Sequence, residues 1–347
     1  MHARHICCCT ALALSLGGAV LPGAPAAAAD PAMIEAAKRE GQVTWYTTQI
    51  MTQFGRPAID AFQKRYGIRV NAIRGDSIEL AVRMLNEAQA GRVQADVFDG
   101  TSNATAMKRA GAALRWQPDR AKTLPKEYSD PEGYWVASNI YVQTPACNTN
   151  LVPKGSEPRS FEDLLDPKWK GKMAWATHAT TSGAPGFVGV VLTELGEEKG
   201  KAYLRALARQ SLIEVGGSAR SIVDQVIAGE YPIALQVFNH QPFISAERGA
   251  PVDWIAINPS MAILSVAGVS KDAPHPNAGK LLVDFLVSDE AQQLFRAAGY
   301  IPVAPDVPPR NPALRPDGMT FRAIFFSPEA IDQSMPHWAE IFGEIFR

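Results

Sequence analysis

Residues 74–103 read RGDSIELAVRMLNEAQAGRVQADVFDGTSN, and their order of loop, helix, turn, strand and loop decides the fold class. Asp76 followed by Glu79 has the form of a capping box. Ile78, Ala81, Val82, Leu85 and Ala88 then keep helical spacing until Gly91, which predicts one amphipathic helix. Ala95 to Phe98 reads as a short strand, and Gly100 to Asn103 supply turn and N-cap chemistry for a second helix that ends at Gly111. Loops that follow successive strands of an open α/β sheet gather at one edge, where uncapped helix N–H groups receive an anion. Asp76, Ser77, Thr101 and Ser102 are therefore candidate ligand contacts.

Upstream, the strand Val43 to Tyr46 delivers Thr47 and Thr48 to the same edge, where their hydroxyls suit a ligand or a helix cap equally. The strand Ile68 to Ile73 leads into Arg74, either an anion partner or a solvated cation. Downstream, a strand from Trp135 to Gln143 precedes a helix at Phe161 to Leu165 and a strand at Met173 to Ala176. Pro185 marks the first turn of a helix, which places Thr180, Thr181 and Ser182 at its N-terminus. Gly216 and Gly217 precede Ser218, a helix cap with a hydroxyl to offer, and Arg220, whose planar fork suits phosphate or carboxylate. A cation in a first helical turn needs compensation, which a bound anion supplies. The strand Ile233 to Phe238 then ends on Asn239, His240 and Gln241, three side chains able to hydrogen-bond a sugar, carboxylate or phosphate. The competing assignment is a turn in which His240 caps a neighbour.

Met1 to Ala29 reads as a secretory signal peptide: a weakly basic start with Arg4, an apolar run from Ile6 to Val20, and an A-x-A site before Asp30. The run is shorter than the ~20 residues a spanning helix needs. The chain has 34 Lys and Arg against 35 Asp and Glu; only Arg4 leaves with the leader, so the mature charge is about −2. Such a balance favours neither nucleic acid nor an acidic membrane surface. Cys7, Cys8 and Cys9 leave with the leader, and Cys147, alone, reads as a buried small hydrophobe rather than a nucleophile. Residues 30–347 exceed the usual single domain, and helices alternate with short strands throughout, which argues for two α/β lobes.

Gly75-Asp76-Ser77 through Arg83, Ala90-Gly91 and Gln94-Ala95-Asp96-Val97 together resemble the periplasmic solute-binding proteins of ABC importers, in the family 1 group that includes ferric-iron, thiamine and organophosphate binders. Matches continue through Asn148 to Val152, Phe161-Glu162-Asp163-Leu164, Trp169-Lys170-Gly171, Ala228-Gly229-Glu230-Tyr231 and Ser288-Asp289-Glu290-Ala291-Gln292, so the resemblance covers nearly the whole mature chain. It implies an α/β, type II periplasmic binding protein fold, two lobes joined by crossing strands with the ligand cleft between them. The lobes are expected at 30–140 with 265–302 and at 141–264 with 303–347, with the first hinge near Ser138 to Thr144. The resemblance further implies a monomeric, cofactor-free periplasmic receptor that closes on a small-molecule ligand and delivers it to an ABC permease and its ATPase.

Ferric-iron members of that group ligate the metal with adjacent tyrosines after the strand that matches Ile233 to Phe238. This chain reads FNHQPF there, and no two of its tyrosines are adjacent. The favoured solute is therefore an anionic organic molecule such as a sugar phosphate, phosphonate or carboxylate, with ferric iron or a ferric complex as the alternative. His178, His240, His275 and His337 are dispersed without zinc spacing, and His240 with Glu247 makes a poor cage for a hard cation. The chain carries no phosphate-loop, G-x-S-x-G or dinucleotide motif. A triad of Ser218, His240 and a carboxylate lacks the elbow that presents a nucleophile, which leaves a secreted hydrolase as the weaker reading. A receptor that signals occupancy to a sensor uses the same cleft.

Overall fold

Helices closed by left-handed glycines alternate with short apolar strands from the start of the computed structural model, which describes residues 29–178, 180–316 and 321–347. The expected leader, 1–28, lies outside them. The described strands are β1 (Gln42–Thr47), β2 (Arg69–Arg74), β3 (Val97–Asp99), β4 (Val136–Asn148), β5 (Met173–Ala176), β6 (Ile213–Val215), β7 (Ile233–Phe238), β8 (Val252–Trp254), β9 (Ser260–Val269), β10 (Ile301–Pro302) and β11 (Ala323–Phe326). They join in the order β2-β1-β3-β9-β4-β7-β5-β6, with β8 and β10 pairing β4 and β11 pairing β9.

β1 lies parallel between β2 and β3, and β5 lies parallel between β6 and β7. β3, β5 and β7 are buried along nearly their whole length, whereas the edge strands β2 and β6 are only partly covered. The long strands β4 and β9 pair antiparallel and stand between the two sets, so both pass from one lobe to the other. Val142, Leu264 and Val266 pack in the first core, whereas Cys147, Met261 and Ile263 pack in the second. Tyr141 touches both cores. Val303, Leu314 and Phe321 pack in the first core, and the chain meets the second at Ile324 and Phe326.

Several local expectations are corrected. The helix Ser77–Gln89 has Asp76 at its N-cap and Glu79 in its first turn, yet no side-chain cap bond forms. Its buried face is Leu80, Ala81 and Met84; Ile78 and Val82 are 55% and 54% exposed. Phe161 to Leu165 yields only a tight turn at Asp163–Leu165. β4 runs on to Asn148 because Thr144 to Cys147 pair with β7 and β8. Asn239 to Gln241 open a short helix, His240–Ala246, instead of a turn. Cys147 is buried and free, and burial pushes its thiol up to about 12, as a small hydrophobe requires.

Candidate functional site

β1, β2 and β3 end side by side, with Thr47 opposite Arg74 in the register and Asp99 closing β3. Asp99 is fully buried and accepts from Thr47 Oγ1 at 2.5 Å, Thr48 N at 2.7 Å and Thr48 Oγ1 at 2.6 Å. Burial raises the Asp99 carboxyl, and these donors act against the rise. The two threonine hydroxyls are thus engaged in fixing the loop.

Gly100 follows with φ +112°, a conformation that side chains rarely adopt. A Cβ there would stand 2.9 Å from Thr48 Cγ2, 3.2 Å from Ser77 Oγ and 3.3 Å from Asn103 Nδ2. Hence the Thr48 loop and the N-termini of the helices Ser77–Gln89 and Thr101–Arg109 converge on Gly100. Ser77 Oγ donates to Asn103 Oδ1 at 3.0 Å, and Asn103 Nδ2 donates to the Asp99 carbonyl at 2.6 Å. Neither N-cap, Asp76 or Gly100, supplies a side-chain cap, which leaves the first-turn N–H groups of both helices available. Thr101 Oγ1 donates to the Leu264 carbonyl, tying this helix to β9, while Ser102 is exposed. Arg74 stands beside the group, and its one ion pair among the described residues is a loose one with Asp76 at 3.9 Å; both side chains are exposed.

From Thr48 the polar contacts continue onto the crossing strands. Gln49, fully buried, donates to Asn139 Oδ1 at 3.1 Å and Ser265 Oγ at 3.2 Å and accepts from Tyr141 OH at 3.4 Å. Tyr141 packs against Phe238 and His240 with ring centroids 4.9 and 5.6 Å apart, and Tyr300 packs on His240 at 4.5 Å. Tyr300 OH donates to Gln53 Oε1 at 3.1 Å. Burial pushes both phenols up and, with Arg220 nearby, pushes the His240 imidazole down to about 3, so all three rings are neutral near pH 7. Two residues beyond Tyr141, Gln143 donates to Thr181 Oγ1 at 3.0 Å and accepts from Gln236 at 2.8 Å; Gln236 also donates to the Thr181 carbonyl at 3.1 Å. Ser182 Oγ lies 3.4 Å from Thr180 Oγ1, ahead of the helix Ala184–Leu195, whose N-cap Gly183 offers no side chain.

The structure therefore draws Thr47, Thr48, Ser77 and Thr101 into one group and brings Thr181 against the same crossing strands. The remaining candidates stand differently. Ser218 caps the helix Ala219–Ala228 through a bond from Ser221 N and is exposed. Arg220 forks onto Asp224 one turn along and donates to Ser245 Oγ at 3.0 Å, so its first-turn charge is compensated within the protein. Asn239 is buried and donates to the Leu314 carbonyl at 2.8 Å, with its Oδ1 unpartnered; Gln241 Oε1 is likewise buried and unpartnered. Ser218 Oγ accepts from Ser221 N and His240 packs against Tyr141, Phe238 and Tyr300; among the described residues no hydrogen bond joins the two.

Sequence reasoning passed over Asp99, Asn139, Tyr141, Gln143, Gln236 and Tyr300. The signal was present in β4, where Asn139, Tyr141 and Gln143 alternate along a buried strand, because a polar face in a fully buried strand needs a partner. Among the described residues no group of three or more His, Cys, Asp or Glu is placed to hold a metal, and no helix is long and apolar enough to cross a membrane.

Residues 57–317 match the family described as bacterial extracellular solute-binding protein. The Fe(3+)-binding periplasmic protein of Serratia marcescens is 26% identical over 253 residues, covering 69% of this chain and 71% of that protein. The putative 2-aminoethylphosphonate-binding periplasmic protein of Salmonella typhimurium is 26% identical over 318 residues, covering 87% and 85%. Among solved structures, iron-bound HitA from Pseudomonas aeruginosa superposes with a TM-score of 0.74 at 22% identity, covering 88% of this chain and 99% of that one. That likeness concerns the fold: two α/β lobes of the type II periplasmic binding class.

Proposed function

The chain belongs to the bacterial extracellular solute-binding protein family, and from that premise we propose that it is exported by its leader to the periplasm, closes on a small anionic organic solute, and delivers it to an ABC permease with its ATPase. One observation carries the choice of an anion. Two helix N-termini without side-chain caps meet at Gly100 beside Arg74, whose guanidinium is only loosely paired. Backbone N–H groups at helix starts and a nearby guanidinium suit phosphate, phosphonate or carboxylate. The Salmonella relative, named for a phosphonate, matches over most of both chains and supports the same reading.

Ferric iron is the second reading, favoured by the gathering of Tyr141, Tyr300 and His240 into one cluster despite their separation in sequence. The Serratia relative's name points the same way. Against it, the three rings stack on one another, both phenols are held protonated, and their hydroxyls turn to Gln49 and Gln53. Native mass spectrometry with elemental analysis, on protein purified without chelator, separates the two. The expected result is an organic anion without metal; stoichiometric iron would reverse the assignment.

A further inference from the structure

Apart from the convergence at Gly100, a cavity of about 400 Å³ lies where the helix His240–Ala246 meets the end of the helix Asp289–Ala297. That volume is within the range of small-molecule sites. One wall follows from β1: Thr52 and Gln53 precede Phe54, which is buried in the first core. Another is made by Ile244, Glu247 and Arg248, on or just past a helix that starts from β7, whose Ile233 and Leu235 belong to the second core. These walls are held together. Gly299 has φ +83° and a Cβ there would stand 2.8 Å from Ile244 Cγ1, so only glycine lets the helix approach that corner. Arg310 pairs with Glu247, donates to the Ala297 carbonyl at 3.2 Å and lies 5.5 Å from the Phe243 ring centroid.

The polar groups left free around this cavity are donors. Tyr300 OH occupies Gln53 Oε1, which leaves the Gln53 amide nitrogen. The Thr52 hydroxyl and the Arg248 guanidinium have no side-chain partner among the described residues. Glu247 is already engaged by Arg310, so Arg248 is the uncompensated charge. A guanidinium fork suits a carboxylate, and Ile244, Ala297 and Ala298 offer apolar surface to a carbon chain. We infer that this cavity is a second small-molecule site, for a short aliphatic dicarboxylate. One carboxylate meets Arg248, the chain lies against Ile244 and the two alanines, and the other carboxylate accepts from Thr52 and Gln53. The lining shares no residue with the convergence at Gly100, so the site stands or falls separately from the anion reading.

Calorimetry with glutarate and butyrate, which differ by one carboxylate, tests this on the native protein. Glutarate is expected to bind as a single molecule per chain, several-fold tighter than butyrate. Arg248→Ala is expected to weaken glutarate roughly tenfold or more, the scale of a hydrogen bond to a charged group, without lowering the melting temperature, because Arg248 has no partner to lose. Ala298→Leu, which narrows the cavity and keeps every charge, is expected to weaken both compounds, and Arg74→Ala neither. Absence of glutarate binding, or native-like binding in Arg248→Ala, overturns the site. Glutarate lost in Arg74→Ala overturns it as well, by placing the dicarboxylate at the Gly100 convergence. Equal binding of glutarate and butyrate overturns the dicarboxylate class.

Discussion

Gly100→Ala is the substitution that most directly tests whether the first-lobe loops form a binding site. Gly100 has φ +112° and ψ 145°, a region that costs a residue with a Cβ roughly 1–3 kcal/mol. The new methyl would stand 2.9 Å from Thr48 Cγ2 and 3.2 Å from Ser77 Oγ. Thr48 is not free to retreat, because its N–H and hydroxyl both hold Asp99; losing one such bond to a charged group adds about 1.5–3 kcal/mol. Together these terms give a destabilisation of about 2.5–6 kcal/mol. Gly67→Ala is the control: its φ is +71° and a Cβ there meets nothing within 4 Å, so backbone strain alone costs about 1–2 kcal/mol. Denaturant unfolding and phosphonate calorimetry on both variants separate strain from crowding. Gly100→Ala is expected to lose the larger stability and at least tenfold in affinity, while Gly67→Ala binds as the native protein does. Native-like affinity in a folded Gly100→Ala variant would refute the placement of the anion at this convergence.

Arg74→Ala is expected to weaken an anionic solute by roughly ten- to a hundredfold, the scale of a charged hydrogen bond, with little change in melting temperature because its pair with Asp76 is loose and exposed. Arg220→Ala is expected to cost less affinity than Arg74→Ala, since Asp224 and Ser245 already occupy its fork; calorimetry on both gives the ranking. His240 predicts a pH dependence: its imidazole is lowered from 6.5 to about 3 by burial first and Arg220 second. Between those values the unfolded chain binds the proton and the folded one does not, so stability is full above pH 6.5 and falls as pH drops toward 3, by about 2 kcal/mol at pH 5. Asp99, raised by burial, works in the opposite direction and loses stability as pH rises through its raised value. Unfolding titrations therefore compare the native protein with His240→Gln, in which the acid-side fall should flatten.

The fold was largely legible because periodicity and punctuation agree: Gly41, Gly67 and Gly229 each close a helix in the left-handed conformation. Rotation about a helix axis was less legible. In the stretch 77–89 the apolar set could be drawn through Ile78 and Val82 or through Leu80 and Met84, and only packing against Gly75 and the first core selects the second. The site was legible by location and much less by contact. The sequence marks Thr47 and Thr48 as polar residues at a strand end, but not that Asp99, at the end of the neighbouring strand β3, engages their hydroxyls. Nor does it bring Tyr300 to Tyr141, because a meeting of rings so distant in the chain is a property of sheet order.

β4 explains how contacts in the two lobes are coupled. Asn139, Tyr141 and Gln143 lie on one face of the strand, and each engages a different neighbour: Gln49 beyond β1, His240 at the start of its helix, and Thr181 ahead of Ala184–Leu195. A solute that touches only Thr48, Ser77 and Arg74 interacts equally with open and closed forms and shifts nothing. Moving a receptor from one closed molecule in a hundred to ninety-nine takes about 5.5 kcal/mol of contacts made only on closure. Two to four charge-assisted hydrogen bonds supply that amount. On the proposed function the loop from Thr180 to Ser182 is expected to reach the solute once the lobes meet; Gln143 of β4 holds the Thr181 hydroxyl, and Gln236 holds its carbonyl. Under that proposal closure would be specific because this loop is tied to β4, the strand that contributes to both cores.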